Sequence, residues 1–107
     1  MIHAAVTIIA SPGQRQGLLQ ALRSLLSPTR VEPGCERCQL FEDVEESGAF
    51  TLIEEWATAA DFERRLRSEE YRWLLLLMEL SVTPPEVRFE VVSCTRGMEA
   101  VHAARGR

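Results

Sequence analysis

Lysine and asparagine are absent from this chain, and all 12 of its basic residues are arginines. Without lysine, the protein has no lysine amine that forms a Schiff base with a carbonyl substrate. It also lacks the lysine on which a nucleotide-binding P-loop depends. A coding bias toward arginine is enough to explain the absence itself. Both mechanisms are nevertheless excluded.

Excess positive charge and long apolar segments are also missing. The 12 basic and 16 acidic residues give a net charge of -4 and are mixed along the chain, so we expect no nucleic-acid partner. The longest apolar run, Trp73–Met78, is too short to span a bilayer. The N-terminus lacks the basic and apolar regions of a secretory signal. We therefore expect a cytoplasmic protein without membrane contact.

The cysteines are few and odd in number. Cys35, Cys38 and Cys94 suit a reducing compartment better than a disulfide framework. Cys35 and Cys38 have the spacing of half a zinc site, but no second pair and no nearby histidine completes it. On a regular strand they also point to opposite faces. We predict buried thiols, and neither a metal nor a cofactor.

Apolar periodicity and turn residues predict one domain of 107 residues that begins with strand, helix, strand and strand. The β-branched segment 2–10 is the first strand, and the leucine-rich segment after it is an amphipathic helix that Pro28 bends or restarts. Segment 35–45 is the second strand. A turn at Gly48 leads into a third strand that ends at Trp56, which completes a β-hairpin.

Polar residues mark the starts of the next two helical segments. Thr58 and the aspartate three residues after it have the spacing of a capping box, and Ser68 caps the next segment. Segment 86–93 is the fourth strand. We take residues 1–95 as the domain and 96–107 as a short helical tail.

The predicted order of elements is that of a ferredoxin-like βαββαβ sandwich, an α+β fold with helices on one face of a four-stranded antiparallel sheet. The other face of the sheet is then uncovered. The first strand is apolar on both sides, which an open face in water disfavours. A homodimer related by a two-fold axis is the simplest way to cover that face.

The third strand carries the most informative side chains. Because side chains alternate along a strand, Glu54 and Trp56 share one face, so an indole and a carboxylate face the same space. The indole is either a flat wall for an aromatic ligand or an ordinary core residue. Glu54 is a candidate base in a buried setting, and otherwise a solvated or paired carboxylate.

The chain resembles the antibiotic biosynthesis monooxygenase family, small dimeric α+β barrel proteins that include cofactor-independent quinol and polyketide oxygenases. The likeness spans nearly the whole chain. It is carried by four segments, namely 29–35 (Thr-Arg-Val-Glu-Pro-Gly-Cys), 50–56 with its Glu-Glu-Trp ending, 62–68, and 84–87 (Pro-Pro-Glu-Val). The resemblance implies a pocket between sheet and helices into which Trp56 projects.

Three polar residues that are common in active relatives are replaced here. Many relatives carry a histidine in the helix after the tryptophan, and Arg65 occupies that position here. Glu70 occupies the position of a second frequent histidine. The asparagine four residues before the tryptophan is Leu52. Haem degradation, which some relatives perform with such residues, is therefore not expected. In the implied pocket, Leu52, Glu54 and Leu66 are the expected substrate contacts.

Oxygen activation without a metal or flavin requires an electron-rich substrate anion. Arg65 stays charged and is a candidate partner for that oxyanion. The alternative is an exposed salt bridge between Arg65 and Asp61 or Glu69.

His3 and Tyr71 are the candidates for proton handling. His3 is otherwise a surface or interface histidine, and Tyr71 an ordinary core residue. His102, in the tail, is a weaker candidate than either.

Two functions from different classes remain open. The first is a cofactor-independent monooxygenase that uses O2 on a small aromatic or quinol-type substrate, with Trp56, Arg65, and His3 or Tyr71 as catalytic residues. The second is a non-catalytic dimer that binds a small ligand or serves a stress response. A closed or purely aliphatic pocket around Trp56 favours the second.

Overall fold

The computed structural model describes residues 1–106, which form four strands and five α-helices in the predicted order. A short 3-10 turn, Pro12–Gln14, follows the first strand. The elements are β1 Ile2–Ile9, α1 Arg15–Ser24, α2 Leu26–Arg30, β2 Cys35–Glu42, β3 Ala49–Trp56, α3 Ala59–Leu66, α4 Glu69–Met78, β4 Glu86–Val91 and α5 Met98–Ala104. Strands β2 and β4 are shorter than predicted, by three and two residues at their C-terminal ends. Arg107, the last residue of the predicted tail, lies outside the described residues.

The four strands form one sheet in the order β2-β3-β1-β4, and every neighbouring pair is antiparallel. The predicted ferredoxin-like α+β fold is therefore confirmed. Helices α1 to α4 pack on one face of this sheet. The single chain leaves the other face open.

Alternation along β1 divides the sheet into its two faces. Ile2, Ala4, Val6 and Ile8 are buried, whereas the residues between them are half-buried on the open face. The core between sheet and helices is mostly aliphatic. Its main cluster contains Val6, Ile8, Ala10, Leu18, Leu22, Leu25, Cys38, Phe50, Leu52, Tyr71, Leu74 and Met78.

The two helices that matter for the site begin at the predicted caps. The Thr58 hydroxyl accepts from Asp61 N at 3.1 Å, and the Ser68 hydroxyl accepts from Tyr71 N at 3.1 Å. Each cap satisfies a backbone N–H that the first helical turn leaves unpaired. The start points of α3 and α4 are therefore set by local sequence.

The first helical region restarts near Pro28, as expected. The α1 segment ends at Ser24 and α2 begins at Leu26, with Pro28 inside α2. The buried Thr29 hydroxyl donates to Leu25 O at 2.7 Å across the break. Leu25 O also accepts from Thr29 N at 3.2 Å, so the chain is hydrogen-bonded across the restart.

The C-terminal elements are less covered than the rest of the chain. Every residue of β4 is exposed, although Phe89 meets Phe62 of α3 edge-to-face at 4.8 Å between ring centroids. The helix α5 has no buried residue and lies within the predicted tail. None of the helices within residues 1–106 is both long and apolar enough to cross a membrane.

Candidate functional site

Glu54 lies at the centre of a buried polar group between β3 and α3. Its Oε1 accepts hydrogen bonds from Trp56 Nε1 at 2.9 Å and from Arg65 Nε at 3.0 Å. Its Oε2 accepts from Arg65 Nη2 at 2.9 Å, so carboxylate and guanidinium are joined by two bonds. Trp56 and Arg65 are each 1% exposed, and Glu54 is 2% exposed. These three residues are called the Glu54 cluster below.

Strand periodicity and helix capping bring the Glu54 cluster together. The strand β3 turns Glu54 and Trp56 toward the helices. Arg65 follows the buried Phe62 by three residues, so both lie on the face of α3 that meets the sheet. Among the buried side-chain nitrogen and oxygen atoms of residues 1–106, none lacks a hydrogen-bond partner. The buried charges are therefore fully paired, as such charges must be.

The hypothesis that Arg65 forms an exposed salt bridge is wrong. Its proposed partners bind other arginines, since Asp61 pairs with Arg64 at 3.0 Å and Glu69 pairs with Arg72 at 3.3 Å. The rotation of α3 turns Arg64 outward and Arg65 toward the sheet. Arg65 is therefore a buried positive charge between α3 and the sheet.

The ring of Tyr71 lies over the Arg65 guanidinium, with 5.2 Å between Arg65 Cζ and the ring centroid. This distance is within the cation–π range. Tyr71 is 6% exposed whereas Trp73 is 57% exposed, which confirms that the two aromatic side chains point in different directions. Burial, with the negative charge of Glu54, raises the pKa of the Tyr71 phenol. Near neutral pH, Tyr71 is therefore a proton donor and not a base.

Glu32 makes the third contact with Arg65, and sequence reasoning did not single it out as a site residue. Its Oε2 lies 3.5 Å from Arg65 Nη1, and its side chain is 21% exposed whereas that of Arg65 is 0% exposed. Glu32 therefore lies at the solvent-exposed edge of the Glu54 cluster. Loss of hydration raises the pKa of the Glu32 carboxyl, and repulsion from Glu70 and Glu54 adds to this against the attraction of Arg65. The available signal was the Glu-Pro-Gly-Cys sequence, which places a turn beside the end of β3.

A β-bulge changes the expected placement of the cysteines. Cys35 pairs with Trp56 and Cys38 with Glu54, with a register shift between Cys35 and Arg37. The extra residue puts both thiols on the helix side, so the expectation of opposite faces is wrong. Burial raises the pKa of Cys38 to about 12, and it also raises the pKa of Cys35. Neither thiol is ionised near neutral pH, and each is therefore a weak nucleophile.

The two leucines expected to contact a substrate have packing roles in the single chain. Leu52 is 2% exposed and belongs to the main core cluster. Leu66 is partly buried and packs against both that cluster and a smaller one around Trp56. Within residues 1–106, no group of three or more His, Cys, Asp or Glu side chains is arranged to hold a metal ion. Because Leu52 lies in the core and Leu66 packs against it, the centre of the site is closed and densely packed.

The structure separates His3 from the other predicted catalytic residues. His3 is half-buried on the open face of the sheet, where its neighbours across the strands are Glu55 and Glu90. The Glu54 cluster lies on the opposite face. Within one chain, His3 therefore does not share a site with Trp56. His102 is exposed on α5.

A separate apolar groove of about 480 Å³ lies on the outer surface of the helices, away from the sheet. It is lined by Ala21, Ser24, Leu25, Trp73, Leu76, Leu77 and Leu80. Its lining carries no ionisable side chain. The groove therefore offers no group for acid–base chemistry.

The fold and the site define a small ferredoxin-like α+β domain with a buried tryptophan, glutamate and arginine between sheet and helices. Residues 1–73 match the family model of the antibiotic biosynthesis monooxygenases. The chain belongs to this family, which confirms the resemblance noted in the sequence and supports a monooxygenase at the level of the family.

Solved structures agree with this assignment. A crystal structure of an antibiotic biosynthesis monooxygenase is 25% identical, with a TM-score of 0.78 over 88% of this chain and 100% of that one. A Pseudomonas aeruginosa protein is 28% identical, with a TM-score of 0.75 over 87% and 94% of the two chains. A Deinococcus radiodurans protein is 23% identical and shows the same fold, with a TM-score of 0.82 over 91% and 97%. A search of the curated proteins found no match.

Proposed function

We propose that the protein is a cofactor-independent monooxygenase that acts on a small aromatic or quinol-type substrate. The observation that supports this best is the buried Arg65 guanidinium beside two aromatic side chains, Trp56 and Tyr71. A flat molecule with one oxyanion is complementary to this group. The rings contact its apolar surface, and the guanidinium binds its negative oxygen.

The substrate itself supplies the electrons for the reaction. In an anthrone-type substrate, the overall change converts a methylene carbon into a carbonyl with one atom of O2. The other oxygen atom leaves as water with the two methylene hydrogens. Arg65 stabilises the substrate anion that passes electrons to O2, and the neutral Tyr71 phenol donates to the reduced oxygen.

Neither Glu54 nor His3 is placed to take the proton of such a substrate. Both oxygens of Glu54 accept hydrogen bonds from Trp56 and Arg65. His3 lies on the other face of the sheet. We therefore look for the acceptor at the solvent-exposed edge of the cluster.

Oxygen uptake with a panel of hydroquinones and anthrones tests the proposal. Arg65→Lys keeps the charge but loses the two-pronged geometry of the guanidinium, so we expect uptake to fall by about 100-fold. Arg37→Lys makes the same change on the open face and should leave uptake unaltered. If wild-type protein takes up oxygen no faster than Arg65→Lys with every compound, the monooxygenase proposal fails for these substrates.

The second candidate, a non-catalytic dimeric protein that binds a small ligand or serves a stress response, also has an observation in its favour. Trp56 is 1% exposed and Arg65 already has a buried partner, so the site is closed in the single chain. Binding of the same compounds without oxygen uptake above their spontaneous oxidation would favour this candidate.

A further inference from the structure

We propose that Glu32 is the general base of this site, taking the proton of the substrate while Arg65 binds the oxyanion that is left. The inference rests on the proposed function and identifies the proton acceptor which that function requires. It assigns a catalytic role to a residue of the loop between α2 and β2, outside the strand and helices that carry the Glu54 cluster.

The three contacts of Arg65 differ in how easily they are exchanged. Two bonds, at 2.9 and 3.0 Å, go to Glu54, whose side chain is 3% exposed. Glu54 also accepts a hydrogen bond from Trp56 Nε1. The third contact joins Arg65 Nη1 to Glu32 at 3.5 Å, and the Glu32 side chain is 21% exposed. Nη1 is therefore the guanidinium nitrogen whose partner changes most readily. Outward rotation of Glu32 makes room for a substrate oxygen at Nη1.

The backbone that carries Glu32 is anchored, while its carboxylate is only partly buried. Cys35 N donates to Glu32 O at 3.1 Å, and Ala57 N donates to Gly34 O at 2.8 Å. Gly34 has a φ of +85°, and a Cβ at this position would collide with the Asp61 side chain. The loop backbone is therefore fixed at these positions, and in this proposal the partner of Arg65 changes by rotation of the Glu32 side chain.

Proton transfer to Glu32 and the change of partner at Arg65 favour each other. In a phenol or quinol substrate, the O–H bond breaks, its proton moves to the Glu32 carboxylate, and the electron pair stays on the substrate oxygen. Neutral Glu32 then no longer attracts Arg65, whose Nη1 is free to bind the new oxyanion. One negative charge replaces another beside the guanidinium, so the buried site never carries an additional uncompensated charge.

The surroundings of Glu32 suit this role. It faces Arg64 and Arg65 on α3, Glu54 on β3, Glu70 on α4 and Cys35 on β2. Burial raises the pKa of Glu32, with Glu70 and Glu54 adding to the shift. A carboxylate with a raised pKa is a better match to proton transfer near neutral pH than an ordinary surface glutamate.

Proton counting with 4-nitrophenol tests the inference without any oxygen chemistry. The probe absorbs visible light only as the phenolate, and calorimetry in buffers of different ionisation enthalpy counts released protons. Below the pKa of the free probe, we expect wild-type protein to bind it as phenolate with almost no proton released. Glu32→Gln should release about one proton for each phenolate bound, because its proton acceptor is missing. Exposed Glu63, on α3, gives the control Glu63→Gln, which should match wild type.

The inference is overturned if the probe binds as the neutral phenol, or if Glu32→Gln releases no more protons than Glu63→Gln. In the oxygen-uptake assay, Glu32→Gln should lose about 100-fold at neutral pH and recover as rising pH ionises the substrate itself. Glu32→Asp should retain part of the activity. If the proton count agrees but wild-type protein takes up no oxygen, the proposed monooxygenase fails and Glu32 remains the proton acceptor of a binding site.

Discussion

Glu54 and Glu55 are neighbours on β3, and each pairs with an arginine, but they lie on opposite faces of the sheet. On the helix face, Arg65 and Glu54 make two short bonds and their side chains are 0 and 3% exposed. On the open face, one contact of 3.4 Å joins Arg37 to Glu55, with side chains 42 and 22% exposed. The same pair of residue types therefore forms a buried charged centre on one face and a surface salt bridge on the other.

This difference shows that burial, and not residue type, determines what the pair contributes. In water, an arginine and a carboxylate gain little by meeting, because solvent screens them. In the interior, an unpaired charge is costly, so Arg65 and Glu54 each depend on the other. Glu32, the more exposed partner of Arg65, is the one that a ligand can replace.

Removing one arginine should affect the two faces unequally. Arg65→Met leaves the Glu54 carboxylate buried without its charge partner, so we expect the free energy of unfolding to fall by about 3–5 kcal/mol. Arg37→Met on the open face should cost at most about 1 kcal/mol. Denaturant unfolding of both variants measures the two values. Equal losses would show that the faces do not differ as described.

The open face should be the interface of a homodimer. Ile53, half-buried between Ala5 and Gln39 on the neighbouring strands, lies on that face. Ile53→Glu places a charge there, and we expect association to weaken by at least about 100-fold, or about 3 kcal/mol. Light scattering coupled to size-exclusion chromatography measures the mass. A dimer that survives Ile53→Glu but is lost in Trp73→Glu would place the interface on the outer helix groove.

The two tryptophans should respond differently to the same substitution. Trp56→Phe removes an N–H that bonds Glu54 and leaves a small cavity, so we expect a loss of about 1–3 kcal/mol. Trp73 is 57% exposed, and Trp73→Phe should change stability by less than about 0.5 kcal/mol. Thermal unfolding of the two variants provides the comparison, and a larger loss for Trp73→Phe would contradict it.

Two glutamates with opposite pKa shifts should give opposite pH dependences of stability. Because the pKa of Glu32 is raised in the folded state, its ionisation costs stability as pH rises above the ordinary glutamate range. Glu32→Gln should therefore raise the melting temperature by a few degrees at pH 7, and this gain should disappear in acid.

Glu42 has a pKa shift opposite to that of Glu32. Its hydrogen bonds with Arg15 lower its pKa to about 2, so its contribution is present above the ordinary range and is lost as pH falls toward 2. Glu42→Gln should therefore lower the melting temperature at pH 7 but not near pH 2. Melting curves across this range measure both variants, and shifts of the same sign at pH 7 would contradict the assignment.

Much of the fold could be predicted from short-range signals. The caps at Thr58 and Ser68, the turn at Gly48 and the alternation along β1 and β3 are local patterns, and each fixes an element without reference to the rest of the chain. The position of Trp56 on the helix face follows from the same alternation. The family resemblance added the expectation of a pocket around Trp56, which no local pattern predicts and which is closed in the single chain.

The centre of the site could not be predicted in the same way. Whether Arg64 or Arg65 faces the sheet depends on the rotation of α3, which tertiary packing sets. The bulge near Arg37 moves both Cys35 and Cys38 to the helix side, and no residue type in this segment predicts a bulge. Glu32 reaches Arg65 across 33 positions of the sequence, so only the folded chain brings them together.

The two indole N–H groups distinguish a ligand at the Glu54 cluster, which we propose, from a ligand at the outer groove. Trp56 lies in the cluster and Trp73 lines the groove. In a titration with 4-nitrophenol followed by nuclear magnetic resonance, we expect the Trp56 indole signal to shift while that of Trp73 stays in place. A shift of Trp73 alone, with the Trp56 signal unchanged at saturation, would contradict it.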